Sequence, residues 1–177
     1  MVFYVVITLA FVLALLVEGS ILSFFMLEKA VPDFFLVLVI SLGFLLGERR
    51  GALIGLLAGL LQDIVLGSVL GFFALAKTLL GYGTGLLGRE LYQDQLLAPS
   101  LMVLVGTLTH EFILYFLVSQ FIGTGMPVEW SFSRLFIPKA LYNMGLTLLF
   151  YPLLYRLYYS SRRPKVKLLL REGGSRR

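Results

Sequence analysis

The sequence predicts an all-α integral membrane protein built from six transmembrane helices. Three observations carry that expectation. First, 59% of the 177 residues are hydrophobic and mean hydropathy is +0.92, whereas a soluble domain is about 45–50% apolar. A water-soluble fold of this size has too much surface to hide that excess. Second, six apolar stretches reach or approach the ~20 residues that cross a bilayer. Third, Lys and Arg concentrate in alternate connections and in the C-terminal tail.

The first stretch covers residues 2–27. It has no basic leader and no small-residue cleavage site after it, so it reads as a retained helix and not as a signal peptide. Pro32-Asp33 then opens the second helix, 34–46, in the manner of a helix start signal. A charged turn, Gly47-Glu48-Arg49-Arg50-Gly51, leads to the third, 52–66, and Gly67-Ser68 turns the chain into the fourth, 69–87. The polar loop Arg89–Gln95 precedes the fifth, 96–122, with Pro99 in its first turn. A turn-rich connection from Gly123 to Trp130 leads to the sixth, 133–159. Trp130 and the tyrosines at 151, 155, 158 and 159 suit the membrane interface. Residues 1–160 thus form a membrane domain, followed by a basic tail, 161–177.

Charge sets the orientation. Eight of the fifteen Lys and Arg residues lie at or beyond Arg156. Counting back from a cytoplasmic C-terminus places Arg49, Arg50 and Arg89 inside as well, and leaves Lys29 and Arg134 on the outer side. Both ends are therefore expected in the cytoplasm, by the bias of positive charge toward that side. The tail suits anionic lipid headgroups. No aromatic-basic module accompanies it, which argues against nucleic acid.

Enzyme chemistry finds little footing. There are no cysteines and one histidine, so disulfides and thiolate metal sites are excluded, and no metal or other cofactor is expected. His110 and Glu111 are sequence neighbours, which a helix points about 100° apart. No serine is placed to complete a triad with them.

Two patterns stand out within the spans. Gly51, Gly55, Gly59, Asp63 and Gly67 recur at every fourth position of the third helix, and Lys77, Gly81 and Gly85 repeat that spacing on the fourth. Small residues let helix backbones approach closely in lipid. This face either packs the two helices together or docks a partner's transmembrane helix. The second pattern is charge inside the membrane: Glu18, Asp63, Lys77, His110, Glu111 and Lys139, with Asn143 adding a neutral polar group. A rise of about 1.5 Å per residue puts Asp63 and Lys77 at similar depth on adjacent helices, so an Asp63–Lys77 ion pair is expected. The same reasoning sets Glu111 level with Asn143, within reach of the Lys139 stem. Such charges pair with one another to fix register, or line a polar pocket opening outward.

The stretch GERRGALIGLLAGLLQDIVLGSVLGFFALAKTLLGYGTGLLGRE, residues 47–90, preceded by Pro32-Asp33 and an apolar helix, resembles the MreD family of rod shape-determining membrane proteins. The residues that carry the likeness are Gly51, Gly55, Gly59, Asp63, Gly67, Gly71 and Lys77. The resemblance implies a non-enzymatic role in bacterial cell elongation at the inner membrane. It implies association with MreC, within a complex that includes MreB, RodA and a class B penicillin-binding protein. It also implies a six-helix fold similar to the substrate-binding S-components of energy-coupling-factor vitamin transporters. That likeness supplies the rival expectation, a small-molecule-binding transporter subunit.

Overall fold

The computed structural model describes residues 2–24, 31–66, 69–91, 93, 95–123 and 127–173. It is all-α, with no strand among the described residues. Five long helices come first: α1 (Val2–Phe24), α2 (Phe34–Leu46), α3 (Glu48–Leu66), α4 (Phe72–Leu87) and α5 (Leu97–Phe121). A short α6 (Val128–Ser131), a π-helical turn (Phe132–Phe136) and α7 (Ile137–Gly173) then follow one another without a break, making the sixth long element. Residues 25–27 of the first expected span and Gly67 of the glycine series lie outside the described residues, as do Lys29 and the side chains of the tail from Arg162 on. The tail's boundary is not a structural break, since α7 continues to Gly173.

α2 is the axis of the fold. Every residue from Phe35 to Leu45 is buried, as expected of a helix apolar on all sides. Asp33 caps its start, its carboxylate accepting from the Leu36 amide at 2.7 Å, as a capping side chain does. Gly47, at φ 89°, ends it, and this left-handed residue alone separates α2 from α3, a conformation that costs glycine nothing. At 13 residues α2 spans only about 20 Å, less than a hydrocarbon core of about 30 Å. It is wrapped by α1, α3, α4, α5 and α7, so its neighbours and not lipid meet its flanks.

The π-helical turn has a local cause. Pro138 has no amide hydrogen, and its ring would press on the carbonyl of Arg134 four residues back. Widening the preceding turn relieves that contact: the Ile137 amide bonds to the Phe132 carbonyl, five residues earlier, which is the π-helical pattern. The extra residue re-phases α7, so that Ala140, Asn143, Thr147, Tyr151, Leu154 and Tyr158 all turn inward.

The outer surface is apolar over most helices. Leu53 and Ile64 on α3, Leu101, Val105 and Phe112 on α5, and Leu141 and Leu149 on α7 are all exposed, Ile64 by 68% and Leu149 by 71%. Water would oppose so continuous an apolar skin, and hydrocarbon accepts it. α5 alone among the described helices is long and apolar enough by itself to cross a membrane, with shorter apolar helices at Val5–Glu18, Phe34–Leu46 and Phe72–Leu87. An apolar groove of about 350 Å³ lies between α1, α2 and α7, walled by Leu9, Leu13, Phe34, Leu153 and Leu157 among others.

Candidate functional site

The glycine series is consumed inside one hairpin. α3 and α4 lie backbone against backbone. A Cβ built on Gly51 would sit 2.2 Å from the Gly81 carbonyl oxygen, one on Gly55 2.2 Å from that of Lys77, and one on Gly59 2.4 Å from Ala74 Cα. From the other side, a Cβ on Gly81 would meet the Gly51 carbonyl oxygen at 2.2 Å, and one on Gly85 the Glu48 amide nitrogen at 2.4 Å. No side chain fits at these distances. Of the two roles open to this face, the structure displays internal packing, and these glycines do not face outward.

Bringing α3 and α4 this close places the ionic groups. The expected Asp63–Lys77 pair does not form. Asp63 instead turns over the start of α4 and accepts from the amides of Gly71 (2.9 Å), Phe73 (3.1 Å) and Ala74 (3.2 Å). Those amides have no partner within their own helix, so they outcompete a lysine lying more than a turn further along. Lys77 is fully buried and reaches Asp33, with Nζ at 2.9 Å from Oδ1 and 2.7 Å from Oδ2. Sequence reasoning treated Asp33 as a helix start and not as an intramembrane charge. The signal was available: an N-cap aspartate opening a wholly apolar helix is buried along with that helix, and a buried carboxylate calls for a cation.

The network extends from Asp33. Its amide donates to Asn143 Oδ1 at 2.9 Å, and Asn143 Nδ2 donates to Thr107 Oγ1 at 3.1 Å, tying α2, α7 and α5 together. Glu18 of α1 accepts from the Phe35 amide at 3.3 Å and from Gln62 Nε2 of α3 at 3.2 Å. Two carboxylates, Asp33 and Glu18, thus sit at the amino end of α2, where the helix dipole favours negative charge.

A second ion pair has the partners expected from depth. Lys139 Nζ lies 2.7 Å from Glu111 Oε1. The expectation that His110 and Glu111 diverge is corrected, because their side chains bend together, His110 Nδ1 lying 3.1 Å from the same carboxylate oxygen. The His110 ring is fully buried, its Nε2 without a hydrogen-bond partner among the described residues, and it stacks at a tilt 5.9 Å from Phe73. Asn143, expected level with Glu111, engages Thr107, four residues earlier on α5.

The arrangement joins six helices, α1, α2, α3, α4, α5 and α7, through charge and hydrogen bonds: Lys77 pairs with Asp33 and Lys139 with Glu111, while Glu18 and Asp63 are held by neutral donors. No nucleophile stands beside an activating base, and no group of three His, Asp or Glu is placed to hold a metal among the described residues. A consequence concerns Asp63. Asp63→Ala removes a helix cap without stranding Lys77, so thermal unfolding in detergent is expected to show a modest loss, about 0.5–2 kcal/mol. A loss as large as that from breaking the Asp33–Lys77 pair would contradict this assignment.

No curated protein and no solved structure gave a significant match. The model of one family, rod shape-determining protein MreD, matches residues 1–161, a stretch that contains the packed hairpin and both ion pairs. The chain therefore belongs to the MreD family of membrane-associated, rod shape-determining proteins.

Proposed function

We propose that this chain is a non-enzymatic scaffold of the bacterial cell-elongation complex, one that binds MreC and through it helps regulate peptidoglycan synthesis. The single observation that carries this reading is the MreD family match over residues 1–161. In this reading all six long elements cross the inner membrane with both ends in the cytoplasm, and the fold is similar to that of the transporter S-components. MreB, RodA and the class B penicillin-binding protein are reached indirectly.

The geometry supports a rigid platform. Gly51, Gly55, Gly59, Gly81 and Gly85 hold α3 on α4. Asp63 fixes the turn between them, while Lys77, Glu111, Lys139 and Asn143, together with Asp33, clamp the other helices around α2. Helix association in lipid rests on close packing and polar clamps of this kind. A scaffold needs a fixed outer shape to present to its partner, and the exposed apolar flanks of α3, α5 and α7 offer that shape within the bilayer.

The test is co-purification. Full-length chain co-expressed with an MreC-like bitopic protein is expected to retain it through affinity and size-exclusion steps. Loss of the partner under mild detergent, together with a stoichiometric small-molecule adduct in native mass spectra, would overturn the scaffold reading in favour of a solute-binding transporter subunit. The pairing of Lys77 with Asp33 and of Lys139 with Glu111 weighs against that rival, since an open pocket for a charged solute would leave such groups free for it.

A further inference from the structure

At the opposite end of α2 from Asp33 lies a polar pocket of about 290 Å³, lined by Leu46, Gly47, Glu48, Arg49, Arg50 and Arg89. Its construction follows from the backbone. Gly47 makes the one-residue turn from α2 into α3, which puts Arg49 and Arg50 in the first turn of α3. α4 runs back along α3 and delivers Arg89 to the same end. The fit there is tight: a Cβ on Gly85 would meet the Glu48 amide nitrogen at 2.4 Å, and one on Gly88 the Phe44 carbonyl oxygen at 2.4 Å. The backbone leading into Arg89 is therefore held at the turn, and the Arg89 Nη2 pairs with Glu48 Oε1.

Three arginines and one glutamate line it, which leaves a formal charge of +2 around the pocket. The placement is unfavourable for the free protein. Arg49 and Arg50 stand in the first turn of a helix, where the dipole is positive and cations are disfavoured. They also stand beside each other and near Arg89. An anion in the pocket would offset both repulsions. Arginine suits phosphate oxygens in particular, because its planar fork donates two parallel hydrogen bonds. The flanks of the pocket continue into exposed apolar surface, with Leu53 and Leu57 on α3 and Leu86 and Leu87 on α4. A headgroup in the pocket could lay its acyl chains there.

We propose that Arg49, Arg50 and Arg89 form a binding site for a phosphate-bearing anion, supplied by an anionic phospholipid headgroup. The site is separate from the buried ionic network and from the basic tail. Free phosphate shares the recognising chemistry and is distinguished by the test.

The test uses the purified full-length chain in a neutral detergent, read by native mass spectrometry. It is titrated separately with phosphatidylglycerol, with phosphatidylcholine and with inorganic phosphate. The site predicts one saturable phosphatidylglycerol adduct that phosphatidylcholine does not replace. Arg49→Gln with Arg50→Gln should weaken that adduct about tenfold or more, since two charge-assisted contacts are lost. R49K with R50K should retain part of it, because the charge remains and the fork does not. Both arginines are exposed, so an unchanged melting temperature in these variants separates lost binding from lost folding. A variant with Arg162, Arg163, Lys165, Lys167 and Arg171 all changed to Gln should keep the adduct. Displacement by millimolar inorganic phosphate would reassign the site to a free anion. Equal phosphatidylglycerol binding by wild type and the Arg49/Arg50 double variant, or loss of binding only in the tail variant, would overturn the proposal.

Discussion

Asp33→Ala is expected to destabilise the protein by about 3–5 kcal/mol, the cost of leaving one member of a buried ion pair without its partner. Lys77 is 0% exposed and both Asp33 oxygens lie within 2.9 Å of its Nζ. With the carboxylate gone, the ammonium keeps the face of Phe73, 6.0 Å from the ring centroid, and the more distant Glu18 charge, and neither replaces a direct ion pair. The α2 cap is lost in the same step, because Asp33 also holds the Leu36 amide. Lys77→Met should cost a comparable amount by stranding the carboxylate. The decisive measurement is a double-mutant cycle followed by thermal unfolding in one detergent. The cycle uses Asp33→Asn and Lys77→Met as its single arms; their combination removes both charges and keeps a capping oxygen, so it should recover much of the loss, as neutral replacement of whole buried pairs commonly does. Additive losses in the double variant would show that the two residues do not act as a pair.

The second large effect is expected from the smallest change. Gly55→Ala adds one methyl group, yet that methyl would lie 2.2 Å from the Lys77 carbonyl oxygen and 2.7 Å from its carbonyl carbon. Both obstacles are backbone, so no rotamer change relieves them, and α3 must move off α4. Overpacking of this kind costs about 1–3 kcal/mol and occasionally more. Here the high end is expected, because separating the helices also draws Asp63 from the α4 amides. Gly81→Ala, on the facing helix, should behave alike, its methyl meeting the Gly51 carbonyl oxygen at 2.2 Å. Gly83 and Gly145 serve as controls. At neither position would an added methyl find an atom within 4 Å beyond its chain neighbours and its own helix backbone, so alanine there should be neutral or stabilising by roughly 0.5–1 kcal/mol through helix propensity. Melting temperatures that fall equally for Gly55→Ala and Gly83→Ala would remove the packing explanation.

Particular residues show how much was legible in advance. The third to fifth helices were readable because their apolar runs end in glycine, proline or charge. The Glu111–Lys139 pair was readable because depth along a helix follows from counting, and a long lysine stem tolerates an error of one turn. Asp63 and Lys77 lay at matching depth by the same count, and that reasoning failed. Depth says nothing about azimuth, and a helix start with unbonded amides competes for the same carboxylate. Asp33 was missed because its sequence neighbours look like a loop, while the fold buries it to 3% exposure. The π-helical turn left a mark, Pro138 four residues after Arg134, but its effect on the phase of α7 appears only in three dimensions. The arginine pocket was visible as charge near one end of two helices and invisible as a cavity.

Composition and local pattern were enough to give an all-α membrane chain, most of its helix breaks, the glycine spacing that allows two backbones to touch, and a resemblance to the MreD family. These properties are local or compositional: hydropathy, turn chemistry and residue size are written along the chain. The three-dimensional packing settled which carboxylate meets which lysine, that the glycine faces close on each other, and that three arginines share one pocket. Those outcomes depend on the rotation of each helix about its axis and on competition among acceptors, and the pattern of residues along one helix does not contain the positions of the others.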